Sequence, residues 1–413
     1  MIVAQHEAAA ADKALHIFIS TGEVSGDLQG SYLIQALRRQ AQTLGLSLRV
    51  SGLGGPRMIA AGANLVGDTT PIGSVGILEA LPYLLPNWKI QRRVQRFFQQ
   101  EAIDLTIFLD YMGPNLGLGT FLLDRFPDLP TAYYIAPQQW VWAFSEKDTE
   151  QVVRIADQMV AVFPQEAKFY RDYGAKVSYF GHPLVDKLAQ SPNRLAARQH
   201  LGLSETAPVI TLLPASRQQE VKYVLPLLLA VAEKIQATQP TVEFLVPISM
   251  GKLRPAIETA IARSGVKARL IEGDSLPAIA AADLVLNKSG TANLEVALLN
   301  VPQVVVYRLN PITARIGYYL LRLRIEYVSP VNLFLNQAIV PEFIQWEATV
   351  EDVTATALKL LTDTAARQTM LDSYAELRAA MGKPGVCDRV ASHLLEFALK
   401  QKHLGAANPS LAD

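Results

Sequence analysis

One cysteine in 413 residues, Cys387, leaves no partner for an internal disulfide and no thiolate set for a metal cage. A disulfide-stapled secreted scaffold is excluded, and a reducing compartment fits. Neither sign of charge is in excess: 38 lysines and arginines stand against 38 aspartates and glutamates, so the broad basic footprint of a general nucleic-acid binder is missing. The chain is 50% hydrophobic, yet no unbroken apolar run approaches the roughly 20 residues of a spanning helix. It is expected to be soluble or held at a membrane surface. Residues 1–15 are Ala-rich but carry Asp12 and Lys13, with no basic leader ahead of an apolar run, and read as a disordered tail. The first glycine loop, Gly22 to Asp27, has neither GxGxxG nor GxxxxGK[ST] spacing, which removes a dinucleotide fingerprint and a Walker-type site there.

What the chain does have is alternation. Short β-rich runs end in turn residues and give way to apolar residues at helical spacing, the pattern of a doubly wound α/β sheet. HIFIST at 16–21, LRVSGLG, DLTIFLD at 104–110, TAYYIAP, QMVAVF and KVSYF form one series of strands. After GHPLVDKLAQSPNR the alternation restarts with VITLLP at 209–214, VEFLVPIS, ARLIEG, LVLN and PQVVVYR. The restart predicts two α/β domains, 16–186 and 187–348, followed by helices and a polar tail over 349–413. QQEVKYVLPLLLAVAEKI is expected to be one helix.

Open α/β sheets bind ligands beyond the carboxyl ends of their strands, and several polar turns fall there. Glu23, Ser25 and Asp27 follow the first strand; Ser25 and Asp27 either meet a ligand or cap the next helix. Asp110 ends a run apolar enough for a central strand buried on both faces, ahead of Gly113, Pro114 and Asn115. It acts as a general base or accepts bonds from that turn. Arg217 opens a helix where a guanidinium fork suits a diphosphate; alternatively it pairs with Glu220 on the surface. Lys288-Ser289-Gly290-Thr291 lies between a strand and a helix start, whose unpaired amides favour phosphate, with Glu295 within reach of ribose hydroxyls. The other reading is that Ser289 or Thr291 caps the helix. Asn332 follows YVSP in a loop expected to face the cleft.

Three further features each have two readings. His182 is catalytic beside an acid or a hydrogen-bonded histidine in a hinge. Tyr133, Tyr134, Trp140 and Trp142 are core or a wall for a sugar or acyl chain. The apolar stretch Leu81 to Trp88 with Lys89, Arg92, Arg93 and Arg96 is an ordinary amphipathic helix or a lip for anionic lipid.

Seven motifs in order, GEVSGD (22–27), GGPRM (54–58), VGILEAL (75–81), GHPLVD (181–186), LPASRQQEV (213–221), KSGTANLE (288–295) and YVSPVNL (327–333), make the chain resemble the lipid-A-disaccharide synthase family. The likeness runs from about residue 16 to 347, with a weaker helical continuation to about 400. It implies two facing Rossmann-like, doubly wound domains of the GT-B type with C-terminal helices crossing back. The implied reaction moves 2,3-diacylglucosamine from UDP to the 6-hydroxyl of 2,3-diacylglucosamine 1-phosphate with inversion, giving a β-1,6 disaccharide and UDP. No metal or cofactor is implied, and no paired acidic metal motif is present. By matching positions, Asp110, Glu23 and Ser25 are the expected catalytic residues. Arg217, Glu220, Ser289, Gly290, Thr291, Glu295 and Asn332 are expected on the UDP-sugar side. The resemblance also implies a cytoplasmic homodimer, peripheral to the inner membrane, with no nucleic-acid partner.

This chain departs from the family pattern on the acceptor side. Asp110-Tyr111-Met112-Gly113-Pro114-Asn115 stands where the family has Asp-Ala-Pro-Asp-Phe-Asn, and the arginine that usually follows the Trp-rich segment is lost at Ala143. A different lipid or polyol acceptor, or a nucleotide-sugar-binding relative without catalysis, is the alternative reading.

Overall fold

The computed structural model describes residues 14–22, 24–70, 84–141, 145–189, 191–214, 218–248, 251–309 and 326–407. The chain forms two compact units, Met1–Pro183 with Gly382–Asp413, and Leu184–Met381.

The first unit is built on seven parallel strands: β1 (Ala14–Ser20), β2 (Ser47–Gly54), β3 (Asn64–Asp68), β4 (Leu105–Leu109), β5 (Thr131–Tyr134), β6 (Gln158–Ala161) and β7 (Val177–Tyr179). Their order is β3-β2-β1-β4-β5-β6-β7. All five residues of β4 are buried, as a strand covered by helices on both faces requires. Phe18 of β1 packs 4.8 Å from Phe98, and Phe108 of β4 packs 5.6 Å from Tyr133, so aromatic rings fill one continuous core against the central strands.

The second unit repeats the plan with β8 (Val209–Leu213), β9 (Glu243–Ile248), β10 (Ala268–Glu272), β11 (Leu284–Lys288), β12 (Gln303–Tyr307) and β13 (Glu342–Ile344), in the order β10-β9-β8-β11-β12-β13. Two strands go beyond the sequence expectation. β3 and β13 are short edge strands whose residues are mostly half-exposed, so neither carries an apolar run. The single helix expected after VITLLP is two, Gln218–Tyr223 and Leu225–Thr238. Pro226 sits in the first turn of the second helix, where its missing N–H is harmless; inside a continuous helix it would remove a bond.

Helices Val350–Thr362 and Thr364–Met381 remain with the second unit, and the last helix, Val386–Ala407, crosses back to the first. It lies along Val24–Thr43, burying Val390, Ala391, Leu394, Leu395 and Ala398 at helical spacing. Each large apolar side chain so buried contributes roughly 1.5–3 kcal/mol, more than the exposed Arg39–Asp388 pair (2.8 Å) beside them. Lys402 ties the far end to the Ala14 carbonyl at 2.6 Å and to Asp104 at 3.1 Å.

Candidate active site

In the first unit the strand order reverses at β1 and β4, so the loops leaving these strands border the crevice where parallel sheets hold ligands. Asp110 follows β4 directly and is half-buried. Asp110 and Tyr111 both have left-handed backbone, φ 49° and 45°, and so does Ile135 after β5, φ 57°. Such conformations cost about 1–2 kcal/mol each for L residues and persist where surrounding bonds impose them. The bonds here are specific. Asp110 N–H donates to the Ile135 carbonyl at 3.0 Å. Its own carbonyl accepts from Tyr133 Oη at 2.9 Å and Asn115 Nδ2 at 2.8 Å. Asn115, fully buried, accepts in turn from Ser20 Oγ at 2.7 Å, lacing the end of β1 to the turn after β4. Burial holds the Tyr133 hydroxyl well above its ordinary pKa, so it remains a donor. The Tyr111 ring stands over Gly22: a Cβ there would lie 1.6 Å from a ring carbon.

Asp27 caps a helix, but not the helix that carries it. Its buried carboxylate accepts from the amides of Gly55 (2.8 Å), Met58 (3.0 Å) and Arg57 (3.1 Å), starting the helix Pro56–Ala60 and joining GEVSGD to GGPRM. Ser25 is exposed in the first turn of its helix, and Glu23 lies outside the described residues. Sequence reasoning passed over Glu166. Fully enclosed, its carboxylate accepts from Val162 N (2.9 Å), Phe163 N (3.1 Å) and Ala136 N (3.1 Å), pinning the turn after β5 to the turn after β6. Burial raises it to about 7 despite those three bonds, with the nearby Asp110 charge adding to the rise. His182 is buried edge-on to Phe163 at 5.4 Å, and burial lowers it to about 3. A ring kept neutral to that degree is a poor general acid or base, which supports the hinge reading. Tyr133 and Tyr134 belong to the core; Trp140 is half-buried against Phe163 at 5.2 Å, and Trp142 lies outside the described residues.

In the second unit the reversal falls between β8 and β11. Arg217, on the loop after β8, lies outside the described residues. Glu220 from the following helix pairs with Lys288 at the end of β11, 2.9 Å away, so the two loops at the switch point are tied by an ion pair. Ser289 donates through Oγ to the Val328 carbonyl at 2.5 Å, which brings YVSPVNL against KSGT. Two amides expected to be open are engaged: Ser289 N–H donates to the Val306 carbonyl (3.2 Å) and Gly290 N–H to Asn293 Oδ1 (2.9 Å). Thr291 occupies the cap position of the helix Ala292–Leu298 with no side-chain cap bond, so the capping alternative is not realised there. Glu295 is buried against Lys187 at 2.6 Å rather than reaching outward as an unpaired carboxylate.

Asn332 requires a correction. It is 1% exposed and spends its amide on the fold: Oδ1 accepts from Ile339 N (2.8 Å) and Val340 N (2.9 Å), and Nδ2 donates to the Val340 carbonyl (2.9 Å) and Glu342 (2.8 Å). With both ends of the amide occupied inside the protein, it shapes the 327–333 loop instead of facing a ligand. Glu342, raised by burial, also accepts from the amides of Val328 and Ser329 at 2.8 Å each.

Two parallel sheets, each with polar loops gathered at its own switch point, follow the GT-B fold plan. The fold is similar to UDP-GlcNAc 2-epimerase from Neisseria meningitidis bound to UDP-GlcNAc (TM-score 0.61, 12% identity, 92% of this chain and 100% of that one). It is also similar to CalG4, the calicheamicin glycosyltransferase (TM-score 0.55, 15% identity, 97% and 100% covered). At such identities the likeness concerns the fold alone. The sequence goes further. The profile of the lipid-A-disaccharide synthetase family matches residues 17–396, and the lipid-A-disaccharide synthase of Synechocystis sp. (strain ATCC 27184 / PCC 6803 / Kazusa) is 46% identical over 94% of this chain and 99% of its own length. The chain belongs to the lipid-A-disaccharide synthetase family and is a glycosyltransferase. Among the described residues no helix is long and apolar enough to cross a membrane.

Proposed function

We propose that the chain moves 2,3-diacylglucosamine from UDP to the 6-hydroxyl of 2,3-diacylglucosamine 1-phosphate, forming the β-1,6 disaccharide of lipid A. The observation that carries this reading is the strained carboxylate position at 110, locked by Asn115, Tyr133 and Ile135 at the switch point of a chain that matches such a synthase over 94% of its length. Asp110 takes the proton of the acceptor 6-hydroxyl as its oxygen bonds to the anomeric carbon. The bond from that carbon to the diphosphate breaks on the opposite face, and UDP departs with the electron pair. Arg217, Lys288 and the turn 289–291 stabilise the charge on the leaving diphosphate. Glu220 and Glu295 hold the cations and helix of that loop, while Glu23 and Ser25 flank the acceptor. No metal or cofactor is invoked.

Asp110→Asn keeps the side chain's size and removes the base. Turnover should fall by about 10²–10⁴-fold while UDP affinity stays within about twofold, since the nucleotide groups belong to the other unit. Unchanged turnover would remove Asp110 from this role.

The helix Leu84–Gln100 supports work at an anionic membrane surface, and the resemblance is what points to the cytoplasmic side of the inner membrane. Trp88 is 51% exposed with the Arg92 guanidinium 4.0 Å over its ring, and Lys89, Arg93 and Arg96 are exposed alongside. An amphipathic ring among cations suits anionic headgroups. Sedimentation with anionic vesicles, weakened by Trp88→Ala, is expected; no sedimentation would refute the membrane role. Assembly as a homodimer is carried by the resemblance and is tested by light scattering.

A further inference from the structure

We propose that the second unit holds an anion site, for a small phosphate-bearing molecule, at the end of its sheet opposite Lys288 and Ser289. A cavity of about 560 Å³ opens there, where Ala282 leads into β11, Val301 leads into β12 and the helix Ala292–Leu298 ends. Arg194, Arg367 and Arg378 line it together with apolar Leu298, Val301 and Leu371. None of these residues belongs to the nucleotide loops described above.

Around this cavity the arginines outnumber their carboxylate partners among the described residues. Asp283 supplies one carboxylate: Oδ2 pairs with the fully buried Arg198 and Oδ1 with Arg194, each at 2.7 Å. Arg367 and Arg378 have no carboxylate partner among the described residues. Arg367 donates from Nη1 to the Asp283 carbonyl at 3.0 Å. Arg378 donates from Nη1 to Asn300 Oδ1 at 2.8 Å and weakly to the Ala297 carbonyl at 3.4 Å. Nε and Nη2 of both residues make no hydrogen bond among the described residues, yet both guanidinium-bearing residues are half-buried. A partly desolvated cation without a counter-charge is unfavourable, and an incoming anion relieves it. Two unused guanidinium forks match the oxygens of a phosphate, which a lysine ammonium would meet only as a point charge. The leucine and valine wall gives the rest of such a molecule apolar contact.

The position also matters. Arg367 grips the residue from which β11 begins, and Arg378 grips the turn that ends the helix Ala292–Leu298. These two elements flank the turn 289–291, with β11 spanning roughly 16 Å between its ends. An occupant would brace both.

The test uses the full chain with saturating UDP, so that the nucleotide site is filled, at constant ionic strength. Pyrophosphate and phenyl phosphate are titrated by calorimetry and thermal shift. Binding with Kd below about 1 mM is expected, phenyl phosphate gaining from the apolar wall. Arg367→Gln should weaken it at least about tenfold, and Arg154→Gln, at an exposed position of the first unit, should not change it. Arg378→Gln also removes a bond to Asn300 and can destabilise the fold, so the half-exposed Arg194→Gln serves as second variant, each compared with its own ligand-free melting point. No binding by about 20 mM, or equal binding by wild type, Arg367→Gln and Arg194→Gln, would overturn the site.

Discussion

Adding one methyl group at Gly22 should disable the catalytic turn while leaving the nucleotide unit intact. A Cβ on residue 22 would sit 1.6 Å from Tyr111 Cδ1 and 1.9 Å from Cε1, far inside contact distance. The ring must retreat by roughly 2 Å to restore an ordinary carbon–carbon separation of about 3.5 Å. Tyr111 cannot retreat alone, because its backbone is left-handed and continuous with Asp110, whose N–H and carbonyl are bound to Ile135, Tyr133 and Asn115. A shift of about 1 Å in a reacting group costs about 10²-fold in rate, and overpacking a filled site costs about 1–3 kcal/mol of stability. Gly22→Ala should therefore lose about two orders of magnitude in turnover with UDP affinity unchanged. Tyr111→Ala removes the obstacle, so the double variant should recover at least about tenfold over Gly22→Ala, giving a coupling energy of about 1.4 kcal/mol in a double-mutant cycle. The assay is UDP release with the acylated substrates, alongside calorimetry with UDP. Gly22→Ala at wild-type rate, or strictly additive losses, would refute the packing of Tyr111 on Gly22 as what positions Asp110.

Other outcomes follow from the buried polar groups. Asn332→Ala strands two amides, a carbonyl and part of Glu342, so it should destabilise the second unit by about 2–5 kcal/mol; folded protein at low temperature should retain UDP affinity, and a selective loss of affinity would return Asn332 to the ligand. Glu166 is raised by burial to about 7 and His182 lowered by burial to about 3. The raised acid gives stability that is full below its unfolded value near 4.5 and lost as pH climbs through 7; the depressed histidine gives stability present above 6.5 and lost as pH falls toward 3. The stability of wild type minus Glu166→Gln should thus fall by up to about 3 kcal/mol from pH 4.5 to 7, and that of wild type minus His182→Gln should fall by up to about 5 kcal/mol from pH 6.5 to 3. Flat differences in urea melts would contradict the burial of both groups.

Much of the architecture was legible because central parallel strands advertise themselves. LTIFL and LVLN are apolar but for Thr106 and Asn287 and buried at every residue, since both faces of such strands are covered, and the residues following them necessarily fall at the carboxyl edge. That is why Asp110 and the 288–291 turn could be placed from the chain alone. β3 and β13 were not, because edge strands of five and three residues bury too little to impose a pattern. Missing β13 also misled the reading of Asn332. Its partners, Val340 and Glu342, lie eight and ten residues on, in or beside a strand the sequence does not announce. Asp27 could be suspected as a cap, but only the fold puts the start of Pro56–Ala60, rather than its own helix, above it. Beside their local backbone bonds, Glu166 and Asn115 each hold one distant partner, the Ala136 amide and the Ser20 hydroxyl. Nothing in PQEAK or GPNLG signals that.

The most direct measurement is the product itself: purified chain incubated with UDP-2,3-diacylglucosamine and 2,3-diacylglucosamine 1-phosphate, and the lipid product analysed by mass spectrometry and proton NMR. A disaccharide joined through the 6-position with a β anomeric linkage, formed one for one with UDP, is expected. An α linkage, hydrolysis of the donor without transfer, or tight UDP binding with no disaccharide would contradict a direct displacement driven by Asp110.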